Sequence, residues 1–338
     1  MKILTLILFL SASCFGQNGD LINDQAIKFT IVENKDSINF IVVDTLLNKK
    51  KPIFLWCQGS LPTPLFCEIE NYGNYFFGGG IVNFDYKKIV QDYHLVVISM
   101  PKTPVVAKKE NLNSIYQFVP DKSKPNEFLK EYMESDYQEN YVNRALIVLE
   151  YLQEKNWVDS SKLIIAGHSQ GTHVVSKVAK QNKNVTHMGL FSANPFGRVD
   201  QSIRESRLNA QLGKISWEKA DSLINDSYDF LRYSYIKDSV KKYPFLKAGR
   251  TFSEPTYDDW LELDIPIYLA YGTEDRTSDL CDIIPLFFIR NDNNNLTLKR
   301  YLGLEHNFFE MDEKGNADYD KGHWKEVMNE FMDWIDKN

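Results

Sequence analysis

The pentapeptide Gly167-His168-Ser169-Gln170-Gly171 lies between an apolar segment and an amphipathic one, and this context constrains the fold more than any other feature. The apolar run 162–166 predicts a buried strand, and the pattern of 172–180 predicts a helix. A G-x-S-x-G sequence between strand and helix places its serine on a sharp turn with the hydroxyl exposed. We expect the two glycines to allow the turn and the close packing around it.

Further short apolar segments predict the other strands of a sheet that is buried on both faces. These segments are 28–33, 37–44, 53–57, 95–99, 163–166, 188–191, 267–271 and 296–301. Helical patterns alternate with them, as in 141–152 and in the apolar stripe that includes Trp324 and Phe331. The alternation predicts an α/β fold with a mostly parallel central sheet and helices on both faces.

Two segments interrupt this alternation. Residues 197–261 are polar and helical in pattern, and we interpret them as a helical cap inserted into a single domain that spans 17–338. The alternative is an ordinary surface excursion, but loops of this length without a function are uncommon. Residues 101–137 are rich in Lys, Asn and Pro, and we expect them to form a loop at the rim of a pocket.

The first 16 residues have the pattern of a secretory signal peptide. A positively charged start precedes the apolar run 3–10, which is too short to span a membrane, and small residues follow it. We expect cleavage after Gly16. Lipidation at Cys14 is the alternative, disfavoured because a serine stands three residues before that cysteine. The segment predicts a secreted or periplasmic protein, and no later stretch is apolar enough to span a membrane.

An exported chain meets an oxidising compartment, where cysteines can pair. Cys57 and Cys67 are near enough in sequence to close a small loop. Cys57, however, lies in an apolar run, which favours free, buried thiols for these two residues and for Cys281.

The net charge is −7 with both signs mixed along the chain, so no basic cluster indicates nucleic-acid binding. No Cys/His cluster has zinc spacing, and we expect no cofactor.

The polar residues just beyond two predicted strands indicate what could activate Ser169. A serine becomes an effective nucleophile when a histidine removes its proton and a carboxylate holds that histidine. His306 follows the segment 296–301, and Asp275 follows 267–271. Open α/β sheets hold their ligands at the carboxyl ends of strands, which favours both residues. The other carboxylates that remain open are Glu274, Asp279 and Asp200.

An acyl-transfer site also needs N–H donors for the negative charge that develops on the carbonyl oxygen. The backbone N–H of Gln170, directly after the nucleophile, is the first candidate. The second should come from the turn after the strand 53–57, where we choose the N–H of Ser60.

With these motifs, the chain resembles the α/β-hydrolase-fold serine hydrolases over nearly its full mature length. The resemblance is carried by the pentapeptide around Ser169, by Gly272-x-x-Asp275 and Gly303-x-x-His306, and by the position of the cap. It implies that Ser169, Asp275 and His306 form a catalytic triad. The chain departs from the family at the oxyanion turn, where Gln58-Gly59 stands in place of the His-Gly of many members.

We therefore expect an exported serine hydrolase that cleaves a small ester or peptide substrate, a carboxylic ester first, through an acyl-enzyme. A peptidase of short peptides, an acyltransferase and a thioesterase are alternatives on the same fold. A binding protein without turnover is the rival from another class, and an intact triad argues against it. Specificity should depend on the cap and on the loops after Ser60 and Ser99.

Overall fold

A computed structural model of the protein describes residues 19–33, 36–45 and 47–338. The predicted signal peptide and the alternative lipidation site at Cys14 lie outside the described residues. The described residues form fourteen strands in three sheets. They are β1 (Asp20–Ile22), β2 (Ala26–Glu33), β3 (Asp36–Val42), β4 (Lys51–Cys57), β5 (Phe66–Ile69), β6 (Gly73–Phe76), β7 (His94–Ile98), β8 (Val106–Lys108), β9 (Val158–His168), β10 (His187–Phe191), β11 (Ile267–Gly272), β12 (Leu296–Tyr301), β13 (Phe309–Met311) and β14 (Ala317–Gly322).

Eleven α-helices and three short 3₁₀ helices connect these strands in the described part of the chain. The α-helices are α1 (Tyr86–Asp92), α2 (Lys130–Ser135), α3 (Gln138–Gln153), α4 (Gln170–Gln181), α5 (Arg198–Gln211), α6 (Trp217–Ser234), α7 (Lys237–Lys242), α8 (Phe245–Thr251), α9 (Tyr257–Leu261), α10 (Ile284–Arg290) and α11 (Trp324–Ile335). The 3₁₀ helices are Gly78–Asn83, Lys109–Asn111 and Asp279–Ile283.

The largest sheet has nine strands in the order β1-β2-β3-β7-β4-β9-β10-β11-β12. The strands from β7 to β12 in this order are parallel, whereas β1, β2 and β3 pair antiparallel. Every segment that the sequence predicted as a strand lies in this sheet, which confirms the mostly parallel α/β fold. The carboxyl ends of the parallel strands share one edge, where polar groups from distant parts of the chain can meet.

Alternate residues of the central strands face two separate hydrophobic cores. Leu55 of β4 packs in the core that α3 and α4 cover, whereas its neighbours Phe54 and Trp56 pack in the core that α1 and α11 cover. Successive strand residues point to opposite faces, so a strand that is apolar throughout requires helices on both sides. All three side chains are at most 2% exposed.

The segment predicted as the cap contains five helices, α5 to α9, between β10 and β11. Its last helix is anchored on α4. Trp260 of α9 donates its indole N–H to Ser176 Oγ at 2.6 Å, and Lys177 and Lys180 pair with Asp259 at 2.7 and 2.9 Å. The end of the insertion is therefore fixed to the helix that follows the Ser169 turn.

Residues 101–137 contain β8, one 3₁₀ helix and α2, so this segment has more regular structure than the loop that the sequence predicted. Its strand β8 joins β5 and β6 in a small sheet. The C-terminal part of the segment, α2 and the residues around it, lies at a cavity above the main sheet, as predicted.

The cysteines Cys57, Cys67 and Cys281 are free, so the pairing of Cys57 with Cys67 is not formed. Burial raises the pKa of the Cys57 thiol to about 12, which keeps it protonated and unreactive. No helix in the described part of the chain combines the length and the apolar character that crossing a bilayer demands.

Candidate active site

Ser169 occupies the turn between β9 and α4 in a backbone conformation that residues other than glycine rarely adopt. Its φ is 53° and its ψ is −119°. Such conformations cost free energy and persist where surrounding contacts hold them. Here the Ser169 N–H donates to the Phe191 carbonyl at 2.9 Å, and the Thr172 hydroxyl donates to the Ser169 carbonyl at 2.6 Å. The strained turn lifts the Ser169 hydroxyl away from the sheet.

The two flanking glycines are required for space and not for an unusual φ. A Cβ on Gly171 would lie 2.0 Å from the Cys57 carbonyl oxygen, and one on Gly167 would lie 2.4 Å from the backbone of Gly171. Neither glycine has a positive φ. The glycines were expected to allow both the sharp turn and the close packing, but the strained backbone is that of Ser169 itself.

The structure brings the three residues of the predicted triad together. His306 Nε2 lies 2.9 Å from Ser169 Oγ, and His306 Nδ1 lies 2.8 Å from Asp275 Oδ2. The hydroxyl, imidazole and carboxylate thus form one hydrogen-bonded series. Asp200 and Asp279, two of the carboxylates left open by the sequence, instead pair with Arg204.

Asp275 is almost completely buried, at 3% exposure, and four polar groups surround its carboxylate. The Thr277 N–H and hydroxyl donate to Oδ1 at 2.9 and 2.7 Å, and the Ser278 hydroxyl donates to Oδ2 at 2.7 Å. Burial raises the pKa of this carboxyl. The hydrogen bond and charge of His306, with the Ser278 and Thr277 hydroxyls, outweigh burial and lower the pKa to about 2. Asp275 is therefore ionised at neutral pH.

His306 is affected by the same contact in the opposite direction. Burial lowers the pKa of its imidazole, but the hydrogen bond and charge of Asp275 outweigh burial, so the pKa is raised above its usual value. The ring is oriented with Nδ1 toward the carboxylate and Nε2 toward Ser169 Oγ. In that orientation a neutral imidazole can donate from Nδ1 and accept a proton at Nε2.

Two side chains hold the backbone of His306. Ser192, after β10, donates its hydroxyl to the His306 carbonyl at 2.7 Å, and His168 Nε2 lies 3.0 Å from the same oxygen. The His168 ring also packs against the Trp324 ring at 5.2 Å. Burial, and then the neighbouring His306, lowers the pKa of His168 to about 3, so it stays neutral and donates from Nε2. No sequence pattern indicated this contact, because His168 and His306 are far apart along the chain.

The loops after β11 and β12 are joined by backbone contacts that fix Asp275 relative to His306. The Glu274 N–H donates to the Leu304 carbonyl at 2.9 Å, and the Gly303 N–H donates to Thr273 Oγ1 at 2.9 Å. A Cβ on Gly272 would lie 2.1 Å from the Leu304 carbonyl oxygen. Gly272 therefore allows the two loops to touch, whereas Gly303 has open space around it and instead supplies a positive φ of 77°.

The predicted oxyanion donors, Gln170 and Ser60, border the same cavity as Ser169. Among the described residues, neither backbone N–H donates to another backbone carbonyl. The turn that carries Ser60 is supported by Gln58, whose Nε2 donates to the Ile98 carbonyl at 3.0 Å. Gln58, which replaces the more usual histidine, thus ties this turn to the end of β7.

The cavity above Ser169 has a volume of about 510 Å³. Its walls come from the carboxyl edge of the sheet, from the segment around α2 and from the start of α5. Besides Ser169 and His306, the residues that border it include Ser60, Leu61, Phe128, Tyr132, Met133, Asp136, Gln170, His173, Ser192, Asn194, Arg198, Gln201, Ser202 and Thr277.

Sequence reasoning did not identify the charged and polar residues Asp136, Arg198 and His173 of this cavity. The sequence marks two of these residues only indirectly. Asp136 belongs to the segment 101–137, which was expected at the rim of the pocket, and Arg198 begins the first helix of the predicted cap. His173 lies on the helix predicted after the turn, where no motif marks it. In the described residues no cluster of His, Cys, Asp or Glu is arranged to hold a metal ion.

Comparisons with known proteins give different results for sequence and for structure. No protein-family model matches the sequence, and no curated protein matches it. The structure is similar to acylaminoacyl peptidase from Pyrococcus horikoshii, with a TM-score of 0.51, 12% identity, and coverage of 92% of this chain and 41% of that one. It is similar to dipeptidyl peptidase 4 from Porphyromonas gingivalis, with a TM-score of 0.53, 10% identity, and coverage of 93% and 36%.

A third similar structure is an epoxide hydrolase from Vigna radiata, with a TM-score of 0.50, 10% identity, and coverage of 94% of this chain and 99% of that one. The chain therefore spans less than half the length of the two peptidases and nearly all of the epoxide hydrolase. At these identities the likeness concerns architecture alone. The chain has the α/β-hydrolase fold, as the resemblance implied.

Proposed function

We propose that this protein is a serine hydrolase that cleaves a carboxylic ester through an acyl-enzyme. The observation that carries the proposal is the hydrogen-bonded series from Asp275 through His306 to Ser169, with 2.8 and 2.9 Å between the bonded atoms. The series lies at a cavity of about 510 Å³, which suits a small substrate. The fold adds support, because the three compared structures are named as peptidases and an epoxide hydrolase.

In the first half of the proposed reaction, Ser169 Oγ attacks the carbonyl carbon of the ester and its proton passes to His306 Nε2. The carbonyl oxygen becomes negatively charged and accepts hydrogen bonds from the N–H groups of Gln170 and Ser60. Asp275 holds the imidazole and stabilises its cation. As the carbon–oxygen bond breaks, His306 returns the proton to the leaving alkoxide, and the acyl group remains on Ser169.

Water completes the cycle. His306 Nε2 removes a proton from a water molecule, whose oxygen attacks the acyl carbon and forms a second tetrahedral species. Its collapse releases the carboxylic acid, and His306 returns the proton to Ser169 Oγ. Every bond that forms or breaks in this cycle involves only Ser169, His306, the ester and water.

We choose an ester over an amide because enzymes that cleave esters are numerous on this fold. The same steps cleave a peptide bond, and the two similar peptidases keep that reaction as the alternative. The two reactions are distinguished by measuring the cleavage of activated esters, sugar acetates and aminoacyl amides by the purified protein. If an amide is cleaved faster than every ester, the protein is a peptidase and the proposed ester hydrolysis is wrong.

The test of the nucleophile is labelling with a fluorophosphonate, which reacts with an activated serine. We expect the wild-type protein to be labelled at Ser169, and the Ser169→Ala variant to remain unlabelled. Equal labelling of both proteins contradicts the proposal. A binding protein without turnover would also leave the wild type unlabelled, so the same experiment separates the two classes.

We also propose that the protein is exported. The support is the pattern of residues 1–16 described above, and the expected mature chain begins at Gln17. N-terminal sequencing of the protein from fractionated cells tests this. An intact Met1 on cytoplasmic protein contradicts it, and a lipid-modified Cys14 would replace cleavage after Gly16 with lipidation.

A further inference from the structure

Arg198, the first residue of α5, reaches the cavity that holds Ser169. It also borders a second cavity of about 750 Å³ between α5, α6 and α8, so it stands where the two meet. Its guanidinium carbon lies 4.6 Å from the centre of the Phe252 ring, and its backbone N–H donates to the Phe252 carbonyl at 3.2 Å. The backbone and the guanidinium of Arg198 are thus both held by Phe252, the residue directly after α8.

The guanidinium has more donors than partners. Its Nη2 donates to Gln170 Oε1, and no other hydrogen bond of this group is found within the described ranges. Burial lowers the pKa of Arg198, while the nearby Asp136 carboxylate acts against burial. An arginine still stays charged under such conditions. The remaining N–H groups are available to a ligand in the cavity.

Asp136 balances this charge but leaves the donors free. Its Oδ1 accepts a hydrogen bond from the Tyr141 hydroxyl at 2.9 Å, and the nearby Gln170 side chain lowers the pKa of the carboxyl against the effect of burial. Gln170 binds the Arg198 guanidinium, and the described residues include no direct ion pair of Asp136 with Arg198. The carboxylate already has donors on it, whereas the guanidinium lacks acceptors.

His173 lies near Arg198 and borders the same cavity. His173 on α4 is 3% exposed, and its Nδ1 has no hydrogen-bond partner in the described part of the structure. It borders the cavity of Ser169, and its ring contacts the edge of Phe252, on which Arg198 also packs. Burial, and then the charge of Arg198, lowers the pKa of His173 to about 3, so the ring is neutral. Its Nδ1 is closed off from solvent, so Arg198 is the residue of this pair that offers free donors to a ligand.

The chemistry of the missing partner follows from these groups. The positive charge of Arg198 would repel an ammonium group, and the Asp136 carboxylate already accepts a hydrogen bond from Tyr141. A neutral, apolar group would leave the guanidinium N–H groups unpaired and desolvated, which is unfavourable. A carboxylate supplies two acceptors in the planar geometry that a guanidinium binds best.

We propose that the substrate of the Ser169 site carries a free carboxylate, which Arg198 binds while the scissile carbonyl lies at Ser169. This inference rests on the proposed hydrolase function and names its substrate class: a short ester or amide with an additional carboxylate, such as the monoester of a small dicarboxylic acid. Arg198 is then a specificity-determining residue. Its free N–H groups donate to the carboxylate oxygens, and Gln170 keeps the guanidinium aligned.

A matched pair of substrates tests the inference. One is the 4-nitrophenyl monoester of glutaric acid, and the other is the same ester with its free carboxylate capped as a methyl ester. We expect the wild-type kcat/KM to be roughly 10–100-fold higher for the charged ester, which is the usual effect of hydrogen bonds to a charged group. A ratio at or below one overturns the inference.

The decisive variant is the double substitution Arg198→Gln with Asp136→Asn. Removing Arg198 alone would leave the Asp136 carboxylate buried without its counter-charge and endanger folding, whereas the double variant removes both charges. We expect the ratio of the two kcat/KM values to fall to about one in the double variant. A preserved ratio overturns the inference. Arg207→Gln is the matched control, because Arg207 lies on the same helix but faces the Trp217 ring, and its ratio should equal that of the wild type.

A binding measurement separates failure of this inference from failure of the proposed function. In the Ser169→Ala background, glutarate should raise the Tm, and the rise should vanish when Arg198→Gln and Asp136→Asn are added. If the neutral ester is hydrolysed but glutarate has no effect, the carboxylate site is wrong and the hydrolase stands. If neither ester is hydrolysed but glutarate stabilises only proteins with Arg198, the hydrolase is wrong and the carboxylate site stands.

Discussion

The carboxyl edge of the sheet and the first helix of the insertion border the same cavity, but their residues are positioned in different ways. At the sheet, Ser169, Asp275 and His306 are placed by backbone turns that have no spare room, as the short distance from a Gly171 Cβ to the next strand demonstrates. At the insertion, the guanidinium of Arg198 is placed by side chains: the amide of Gln170 and the ring of Phe252.

The two kinds of positioning correspond to two proposed roles: bond cleavage at the sheet and substrate selection at the insertion. Backbone positions change only when the fold changes, so the groups proposed for bond cleavage are as rigid as the sheet. Side-chain positions can change with a single substitution, so the groups proposed to select the substrate can vary while the sheet remains. Substitutions at the sheet should therefore affect all substrates, and substitutions at the insertion should affect their ranking.

The largest effect tests the sheet side directly. We expect Ser169→Ala and His306→Ala each to lower kcat by about 10⁴–10⁶-fold with both esters, because each removes a member of a unit that acts jointly. Steady-state release of 4-nitrophenolate measures this. His323→Ala serves as the control, since that imidazole pairs with Glu310 and Glu326 outside the cavity and should leave kcat unchanged. A His306→Ala enzyme within tenfold of the wild type would exclude His306 as the base.

The second prediction concerns the space at the turn. Gly171→Ala should lower the free energy of unfolding by about 3 kcal/mol, because its Cβ would lie 2.0 Å from the Cys57 carbonyl oxygen, and backbone cannot move aside easily. Urea denaturation measures the change. Gly59→Ala is the matched control, since its Cβ would meet its nearest neighbours at 3.7 Å, an ordinary contact. Equal stability of the two variants would mean that the turn relaxes more easily than its contacts indicate.

The pH dependence tests the coupling of His306 to Asp275. The reaction needs neutral His306, so kcat/KM should rise with pH through the imidazole pKa, which is raised from 6.5. Below that pKa the rate should fall about tenfold per pH unit. Asp275→Asn removes the carboxylate that raises the pKa, so its residual activity should have the rising limb at lower pH. If the rising limb of the pH profile lies at the same pH in both proteins, a group other than His306 controls it.

A smaller effect is expected for the support of His306. His168→Phe keeps a ring against Trp324 but loses the hydrogen bond to the His306 carbonyl, so kcat should fall roughly 3–10-fold with KM unchanged. His168→Gln can still donate to that carbonyl and should recover part of the loss. A rise in KM with constant kcat would mean that His168 acts on substrate binding and does not position the base.

The smallest effect lies in the insertion, away from the cavity. Ser216 caps α6 by accepting the Lys219 N–H at 3.2 Å, and Ser216→Ala should cost about 1 kcal/mol of local stability. Hydrogen exchange of the α6 amides should become faster while kcat/KM for the neutral ester stays constant. Ser216→Asp retains a cap and serves as the control. A loss of ester hydrolysis would show that the stability of α6 and the positions of the sheet residues are coupled.

The sequence allowed most of the main sheet to be predicted, because its central strands are apolar on both faces. Most of the strands that were missed are short. β1 has three residues and is largely exposed, and β5, β6 and β8 have three or four. β13 and β14 form a separate hairpin. Segments of this kind pair through their backbones without a distinctive side-chain pattern.

Ser169, Asp275 and His306 could be predicted as neighbours in space from their positions along the chain. Ser169 is in the turn after one predicted parallel strand, Asp275 and His306 lie in the loops after two others, and parallel strands end at one edge of the sheet. That Asp136, His173 and Arg198 meet at the same cavity is visible only in the folded molecule. They come from three different segments, each is a polar residue without a motif, and their proximity depends on how the insertion packs on α4. Side-chain packing between distant segments leaves no local pattern, and so the substrate class had to be inferred from the folded molecule.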